Sequence, residues 1–254
     1  MMSETLQEVI NKLSQERTDA RLNIFKVEII AFDDNRLTLS GQVLGLEDLQ
    51  ALATDLLEQF PEVVLDVGGI EVMRKPSNAS MTVGTNLTSL HTSTSFISEM
   101  SSQMIFGEKV EILAEQGNWV YTRQLDGYLG WTYKPYLTTN KSPQPTHIVL
   151  APAVPLLAQP EAESQVLTRV FSGTRVKELA SQGEWVQVSA NQTGWMKLKN
   201  LRAISDFPKS LSARREVIQR DAQRLIGVPY LWGGSAGNGI DCSGFARLLH
   251  RLVG

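Results

Sequence analysis

The sequence is poor in the residues from which metal and redox centres are most often built. It contains one cysteine, at position 242, and three histidines, at positions 91, 147 and 250. One cysteine cannot form a disulfide within the chain, so it gives no sign of an oxidising compartment. The cysteine and the histidines show no metal-ligand spacing, and the glycines at 233, 234, 237 and 239 lack the Lys-Ser/Thr ending of a phosphate-binding loop. We therefore expect no metal and no other cofactor.

Long apolar runs and a strong net charge are also missing. No stretch approaches the roughly 20 apolar residues of a membrane-spanning helix, and 24 Lys and Arg residues nearly balance 27 Asp and Glu residues. These features favour neither a membrane span nor a nucleic-acid partner. Residues 1–8 are polar and acidic, without the basic end and apolar region of a secretory signal. We therefore expect a cytoplasmic location.

An internal repeat occupies the middle of the chain. Six residues recur with a constant offset of 66: Gly107, Val110, Leu113, Gly117, Trp119 and Val120 match Gly173, Val176, Leu179, Gly183, Trp185 and Val186. Each copy alternates apolar and polar residues, turns at a glycine and closes with Gly-Trp, which predicts the short strands of a small barrel. The pattern resembles bacterial SH3-type domains. We place the two copies at 80–139 and 147–205, with a polar, proline-bearing linker over 138–146.

The first 76 residues predict a separate αββαβ domain. An apolar stripe marks its first helix, formed by Leu6, Val9, Ile10 and Leu13. Alternating segments at 25–30 and 37–43 flank a turn at 33–35, and a second helix and a last strand follow up to residue 73. The domain resembles a BON-type domain, and no residue in it suggests chemistry. We expect it to interact with another protein or to position the barrels.

The cysteine stands at the end of a glycine-rich loop. The loop reads PYLWGG at 229–234 and continues as GIDCSGF at 239–245. Apolar residues then recur with helical spacing at Phe245, Leu248, Leu249 and Leu252, so we expect a helix that begins near Cys242 with Asp241 as its N-cap. A helix N-terminus favours an anion beside it, and the thiolate is the nucleophilic form of cysteine. The pattern favours a nucleophile over a small buried apolar residue, which is the alternative interpretation of a lone cysteine.

These two motifs resemble the start of the NlpC family of bacterial cell-wall cysteine peptidases. The resemblance implies a papain-like α+β domain that hydrolyses peptidoglycan stem peptides between D-glutamate and the diamino acid. It also implies that Cys242 is the nucleophile and that Asp241 and Ser243 hold the substrate backbone or amine. Tyr230 would line the oxyanion side.

The family's catalytic histidine lies well beyond the nucleophile helix, whereas this chain ends at Gly254. The resemblance to the catalytic domain therefore covers about residues 211–254. A general base must reach the nucleophile, but His250 lies roughly 12 Å from Cys242 along a helix axis, and His91 and His147 stand in polar segments typical of a surface. We expect a truncated catalytic domain without turnover. We also expect the apolar stripes of helices at 213–226 and 242–253 to be left uncovered.

The first barrel is similar to that of the γ-D-glutamyl-L-diamino acid endopeptidases of this family, which act on short peptides with a free N-terminal L-alanine. The similar segment reads SEMSSQMIFGE at 98–108. The resemblance implies that Glu99 pairs with the substrate ammonium and that Tyr133 accompanies it. A carboxylate facing an ammonium makes a charge-assisted hydrogen bond. Such a bond would restrict cleavage to peptides whose N-terminal amine is free. The alternative is that Glu99 is a solvated loop residue.

We therefore expect a multidomain α+β protein with four parts. These are the N-terminal αββαβ domain (1–76), two small SH3-like β-barrels (80–139 and 147–205) and the N-terminal part of a papain-like α+β domain (211–254). Two functions fit this organisation. The first is a cysteine peptidase in the turnover or recycling of murein peptides with a free N-terminal L-alanine, and the second is a murein-peptide binding protein without catalysis.

Overall fold

The computed structural model of the protein describes residues 2–17, 19–140 and 143–254. Lys141 and Ser142, which belong to the predicted linker, lie outside the described residues. The described chain divides into two units. The first unit consists of the N-terminal part up to Ala79 and two later segments, Glu111–Glu115 and Tyr121–Leu129. The second unit consists of Ser80–Val110, Gln116–Val120 and Gly130–Gly254. The four predicted domain boundaries stay predictions.

The N-terminal part of the first unit has the predicted αββαβ order. Its elements are α1 (Met2–Glu16), β1 (Phe25–Asp33), β2 (Arg36–Val43), α2 (Leu46–Gln59) and β3 (Val64–Val72). The strands form one sheet in the order β1-β2-β3, with β2 antiparallel to β1 and parallel to β3. Asp34 and Asn35 join β1 to β2 with φ angles of 48° and 61°. A two-residue turn with positive φ at both positions matches the twist of a hairpin, and Asp and Asn tolerate this conformation best after glycine.

The helices of this unit bury the apolar stripes that the sequence predicts. Leu6, Val9, Ile10 and Leu13 of α1 are at most 5% exposed, and they share one core with Leu52 and Leu56 of α2. Leu37 and Leu39 of β2 face the same core. Full burial of one such side chain contributes about 1.5–3 kcal/mol relative to exposure.

The two repeats form two seven-stranded sheets of similar build. The first contains β4 (Ser80–Val83), β5 (Leu87–His91), β6 (Met100–Ile105), β7 (Lys109–Gln116), β8 (Trp119–Gln124), β9 (Leu129–Tyr133) and β10 (Leu137–Thr138). The second contains β11 (His147–Val149), β12 (Ala153–Leu157), β13 (Val166–Phe171), β14 (Arg175–Gln182), β15 (Trp185–Ser189), β16 (Thr193–Lys197) and β17 (Leu201–Ala203). The strand orders are β10-β4-β7-β8-β9-β5-β6 and β13-β12-β16-β15-β14-β11-β17.

The offset of 66 residues is visible in the backbone. Gly117 and Gly183 share a φ of 58°, and each stands in the short turn between two consecutive strands. Val110 and Val176, which the sequence pairs in the same way, are 2% and 1% exposed. The repeat therefore preserves both the positive-φ turn and the core position.

The C-terminal segment contains α3 (Leu211–Gln223), β18 (Ser235–Ala236), β19 (Gly239–Ile240) and α4 (Cys242–Val253). The prediction that its apolar stripes are uncovered is wrong for three of the four stripe residues of α4, whereas Phe245 is 37% exposed. Leu248, Leu249 and Leu252 are at most 5% exposed, since they pack with Ile148 and Leu150 of the second barrel. α3 adds Ile218 and Ala222 to this cluster. Across the described residues, no helix combines the length and the apolar character needed to span a bilayer.

Candidate active site

Cys242 is the first residue of α4, as the sequence predicts. Its thiol is free and exposed, so the alternative of a small buried residue does not hold. Asp241 is the N-cap, in an extended conformation, and its Oδ1 accepts a hydrogen bond of 2.6 Å from the Gly244 amide. The sulfur therefore stands on the first turn of a capped helix, beside amide groups that have no partner within the helix.

Asp241 also ties the start of α4 to the glycine-rich loop. Its Oδ2 accepts a hydrogen bond of 3.0 Å from the Gly233 amide, and its own amide donates to the carbonyl of Gly234 at 3.0 Å. The hydroxyl of Ser243 donates to Oδ1 at 2.9 Å. The structure thus gives Asp241 a role in building the loop. The substrate-binding roles of Asp241 and Ser243 stay predictions.

The loop and the first turn of α4 are packed so closely that several of their glycines cannot carry a side chain, among them Gly233 and Gly244. Gly233 has a φ of 70°, and a Cβ there would lie 2.6 Å from the carbonyl oxygen of Met100. A Cβ at Gly244 would lie 2.0 Å from the carbonyl oxygen of Gly234. Glycine is required at both positions because the obstructing atoms belong to the backbone, which cannot rotate away as a side chain would.

The loop and α4 are both anchored to strand β6 of the first barrel. Ser235 donates from its amide to Gln103 Oε1 at 3.1 Å and from its hydroxyl to the Gln103 carbonyl at 3.0 Å. Arg247 of α4 donates to the same carbonyl at 3.0 Å and to Ser102 Oγ at 3.1 Å. The sequence analysis did not identify Gln103 as an anchor. The available signal was a run of three polar residues, Ser101, Ser102 and Gln103, between the apolar residues at the two ends of a short strand.

A second arginine of α4 strengthens this attachment. Arg251 forms an ion pair with Glu108, and the two side chains are 24% and 21% exposed. Desolvation by burial lowers the pKa of Arg251 to about 10, so the guanidinium remains charged at neutral pH. Glu108 also accepts a hydrogen bond of 2.8 Å from the Ile105 amide at the end of β6. Helix α4 is therefore fixed to the first barrel through two guanidinium groups, one on β6 and one on Glu108 just after it.

Glu99 lies next to the glycine-rich loop at 229–241, which leads to Cys242 and is hereafter called the cysteine loop. Its Oε1 accepts a hydrogen bond of 2.8 Å from Trp232 Nε1, and both side chains remain exposed. Glu99 is thus an exposed residue with a defined partner, which leaves its second oxygen available to a ligand. Trp232 belongs to the PYLWGG motif, but the sequence alone gave it no role. A pairing across 133 residues leaves no local pattern to find.

Tyr133 belongs to an aromatic cluster on the first barrel. Its ring lies 5.3 Å from Phe96, 5.6 Å from Trp119 and 5.2 Å from Tyr136, measured between centroids. Within the described residues, no hydrogen bond joins Tyr133 to Glu99. The structure therefore shows the contact of Glu99 with the cysteine loop directly, whereas the role of Tyr133 stays a prediction.

Tyr230 runs alongside the segment that leads to Cys242. It forms a parallel β-bridge with Ile240, two residues before the cysteine, and its side chain is 68% exposed. The backbone of Tyr230 is thus fixed while its ring is free to meet a ligand. Its predicted place on the oxyanion side stays a prediction.

The prediction that His91 and His147 are surface residues is wrong, since they are 5% and 9% exposed. His91 Nδ1 lies 3.1 Å from the Ser98 carbonyl, and His91 Nε2 lies 2.7 Å from Ser89 Oγ. Because a carbonyl can only accept, Nδ1 carries a proton, and in the neutral imidazole Nε2 then accepts from the serine hydroxyl. The Ser/Thr-rich surroundings that suggested a surface supply the partners that allow burial.

The remaining imidazoles have other surroundings. His147 Nδ1 lies 3.0 Å from Thr146 Oγ1 and 3.6 Å from Glu178 Oε2, and His250 is exposed on α4.

Over residues 2–17, 19–140 and 143–254, no three His, Cys, Asp or Glu side chains are grouped in a way that could hold a metal ion.

Family models match both barrels. A model described as "Bacterial dipeptidyl-peptidase Sh3 domain" matches residues 90–132, and one described as "Bacterial SH3 domain" matches residues 152–202. The matches fall within the two repeats and confirm their SH3-type character.

Curated relatives with known names cover a large part of the chain. The chain is 25% identical over 174 residues to gamma-D-glutamyl-L-lysine dipeptidyl-peptidase of Bacillus cereus, covering 61% of this chain and 51% of the relative. It is 30% identical over 164 residues to the protein of the same name from Bacillus subtilis, covering 61% and 54%. Dipeptidyl-peptidase 6 of Lysinibacillus sphaericus is 24% identical over 170 residues, covering 61% and 63%. The chain thus spans about half the length of the first two relatives.

A solved structure shares the fold. It is the crystal structure of an NlpC/P60 family protein from Bacillus cereus, with a TM-score of 0.58 and 19% sequence identity, covering 69% of this chain and 72% of that one. The two SH3 matches, the named relatives and this common fold make the chain similar to peptidases of the NlpC/P60 type that carry bacterial SH3 domains.

Proposed function

We propose that the chain carries the nucleophile and the amine-recognition part of a cysteine peptidase that acts on peptidoglycan stem peptides. The bond cleaved would join the γ-carboxyl of D-glutamate to the diamino acid. The observation that carries the proposal is the exposed Cys242 on the capped first turn of α4, with Glu99 fixed beside its loop by Trp232. Two relatives whose name specifies a γ-D-glutamyl-L-lysine bond support the substrate class.

The chemistry follows from the thiol. The sulfur of Cys242 attacks the carbonyl carbon, the carbon–nitrogen bond breaks, and the diamino acid leaves as an amine that takes up the thiol proton. Water then hydrolyses the thioester and restores the thiol. Amide groups of the first turn of α4 would stabilise the anionic sulfur before attack.

Substrate recognition would rely on the free amine. The carboxylate of Glu99 pairs with the N-terminal ammonium of L-alanine, while Trp232 holds that carboxylate through Oε1. Tyr133 would line the same end of the cleft. A carboxylate in a fixed orientation selects a free amine over an acylated one, because an amide has no positive charge to offer.

A general base is required for turnover, and we propose that this 254-residue chain does not turn over. His91 already uses the lone pair of Nε2 for Ser89, and His147 faces Thr146 and Glu178. His250 lies eight residues after Cys242, about two helical turns away. None of the three is arranged as a partner for the thiol.

Cleavage and binding should be measured together with the peptide L-Ala-γ-D-Glu-L-Lys. Mass spectrometry would detect the dipeptide L-Ala-D-Glu, and calorimetry would detect binding by the wild type and by Cys242→Ala. We expect binding by both proteins and no dipeptide from either. Dipeptide that is released by the wild type and not by Cys242→Ala would contradict the absence of turnover. Failure of both proteins to bind would contradict the substrate class.

A second function, a murein-peptide binding protein without catalysis, is favoured by one observation. The contact between Glu99 and Trp232 is formed, whereas the imidazoles are engaged elsewhere. The two functions can be distinguished by testing a longer protein in which a β-rich segment with a histidine follows residue 254. The peptidase would then release dipeptide, and the binding protein would still only bind the peptide.

A further inference from the structure

A cavity of about 530 Å³ lies between the last strands of the second barrel and α3. Its volume is within the range of sites that hold small ligands. Basic side chains dominate the polar part of its lining, namely Lys199, Arg202, Arg220 and Arg224. None of the residues that we assign to peptide cleavage or recognition lines this cavity.

A buried carboxylate organises three of these basic groups. Asp221 is fully buried, and Arg202 lies 2.7 Å from its Oδ2 and donates to its Oδ1 at 2.9 Å. Arg202 also donates to the carbonyl of Leu252 at 2.8 Å, so its guanidinium group is held at both ends. Its side chain is 9% exposed. Arg202 is therefore a fixed positive group in the wall of the cavity.

Arg220 and Arg224 approach the same carboxylate from α3 and its C-cap. Their Nε atoms lie 3.7 Å and 3.5 Å from Asp221 Oδ1, and their side chains are 60% and 39% exposed. These distances exceed those of a short charge-assisted hydrogen bond. The guanidinium groups thus keep donors that can turn toward a ligand in the cavity.

The charges at this site do not balance. Three guanidinium groups share the single carboxylate of Asp221, and the lining adds one further cation, Lys199, and one further carboxylate, Asp206. The carbonyls at the C-terminus of α3 offset only a part of this excess, since a helix end carries about half a charge. Like charges held this close repel one another, and an added anion would relieve the repulsion.

We propose that the cavity binds a small polyanion that carries two or more phosphate or carboxylate groups. The planar fork of an arginine matches either oxyanion with two parallel hydrogen bonds. Leu150, Leu198 and Leu201 supply apolar walls for the carbon skeleton of such a ligand. The site lies outside the proposed cleavage site, so it does not depend on peptidase activity.

Calorimetric titration of the 254-residue chain with inorganic pyrophosphate and with citrate tests the proposal. We expect saturable binding of at least one of them, with one ligand per chain. The double variant Arg220→Gln/Arg224→Gln should weaken binding about tenfold or more, because each bidentate contact is charge-assisted. The matched control is Arg214→Gln/Arg215→Gln, which removes the same charge from the same helix outside the cavity. It should change binding by less than about twofold, because Arg214 and Arg215 do not line the cavity and salt weakens the effect of exposed charges that make no direct contact with the ligand.

Tighter binding of pyrophosphate would identify a phosphate ligand, and tighter binding of citrate a carboxylate ligand. Absence of binding of both at about 10 mM, well above the millimolar affinity of a weak specific site, would overturn the proposal. Equal weakening by both double variants would also overturn it, because net charge alone would then explain binding. If Arg220→Gln/Arg224→Gln does not fold, Lys199→Gln takes its place with Lys177→Gln as control. Binding unchanged by Lys199→Gln would then overturn the proposal.

Discussion

Ser235 makes two hydrogen bonds to Gln103, one to its side chain and one to its carbonyl, and so joins the cysteine loop to strand β6 across 132 residues. Both residues are buried, at 7% and 5% exposure. Glu99, which contacts Trp232 of the same loop, directly precedes β6. The start and the middle of β6 thus hold the loop that leads to Cys242, and they place Glu99 beside that loop.

Gln103 should be needed to order this loop. Gln103→Ala leaves the buried amide of Ser235 without its acceptor, which costs about 1–3 kcal/mol. We expect faster hydrogen exchange at Ser235 and Ala236 and a lower Tm, whereas Gln182→Ala, at an exposed strand position, should change neither. Equal exchange in both variants would show that the loop is held without Gln103.

Cys242 should react in the folded protein. Its thiol is exposed and is the only one in the chain, so iodoacetamide should add one group at a rate similar to or higher than that in urea. Asp241→Ala removes the N-cap, which costs about 1 kcal/mol of local stability, and should slow the reaction of the native protein by loosening the first turn of α4. A thiol that reacts only after unfolding would mean that the site is closed.

Glu108 should stabilise the attachment of α4 to the first barrel. Glu108→Gln leaves the partly buried charge of Arg251 without its partner, and we expect a loss of about 1–3 kcal/mol, below the range for fully buried pairs. The same substitution at Glu184 breaks an exposed pair with Lys197 and should cost about 0–1 kcal/mol. Denaturant unfolding followed by tryptophan fluorescence would compare the two variants. A loss at Glu184 that matches or exceeds the loss at Glu108 would contradict the importance of the Arg251 contact.

The sequence predicted the parts of this protein that have a local signature. Apolar periodicity placed α1 and α4, and the glycine spacing of the repeat placed the turns that Gly117 and Gly183 make with the same φ. Asp241 was predicted as the cap of α4 because capping residues stand directly before an apolar helical run.

The parts that sequence reasoning missed are contacts between distant segments. The pairs Gln103–Ser235 and Glu99–Trp232 leave no periodic pattern, and Ile148 gives no sign that it covers Leu248 and Leu252. The cytoplasmic location and the protein interaction through the N-terminal domain stay predictions.

The proposed pairing of Glu99 with the substrate ammonium can be isolated in one binding experiment. Glu99→Gln keeps an oxygen that accepts from Trp232 and removes the charge, and N-acetylation of L-Ala-γ-D-Glu-L-Lys removes the charge of the ligand. Glu163→Gln, at an exposed position of the second barrel, removes the same charge elsewhere and serves as the control. The loss of affinity when both changes are made together, compared with the sum of the two separate losses, reveals whether the two charges interact.

The most direct measurement is therefore the affinity of wild type and Glu99→Gln for the free and the acetylated peptide. We expect each single change to weaken binding about ten- to a hundredfold, the value of a charge-assisted hydrogen bond. The two changes together should cost much less than their sum, and Glu163→Gln should leave all affinities unchanged. Additive losses, or equal affinity of the wild type for both peptides, would contradict recognition of a free amine by Glu99.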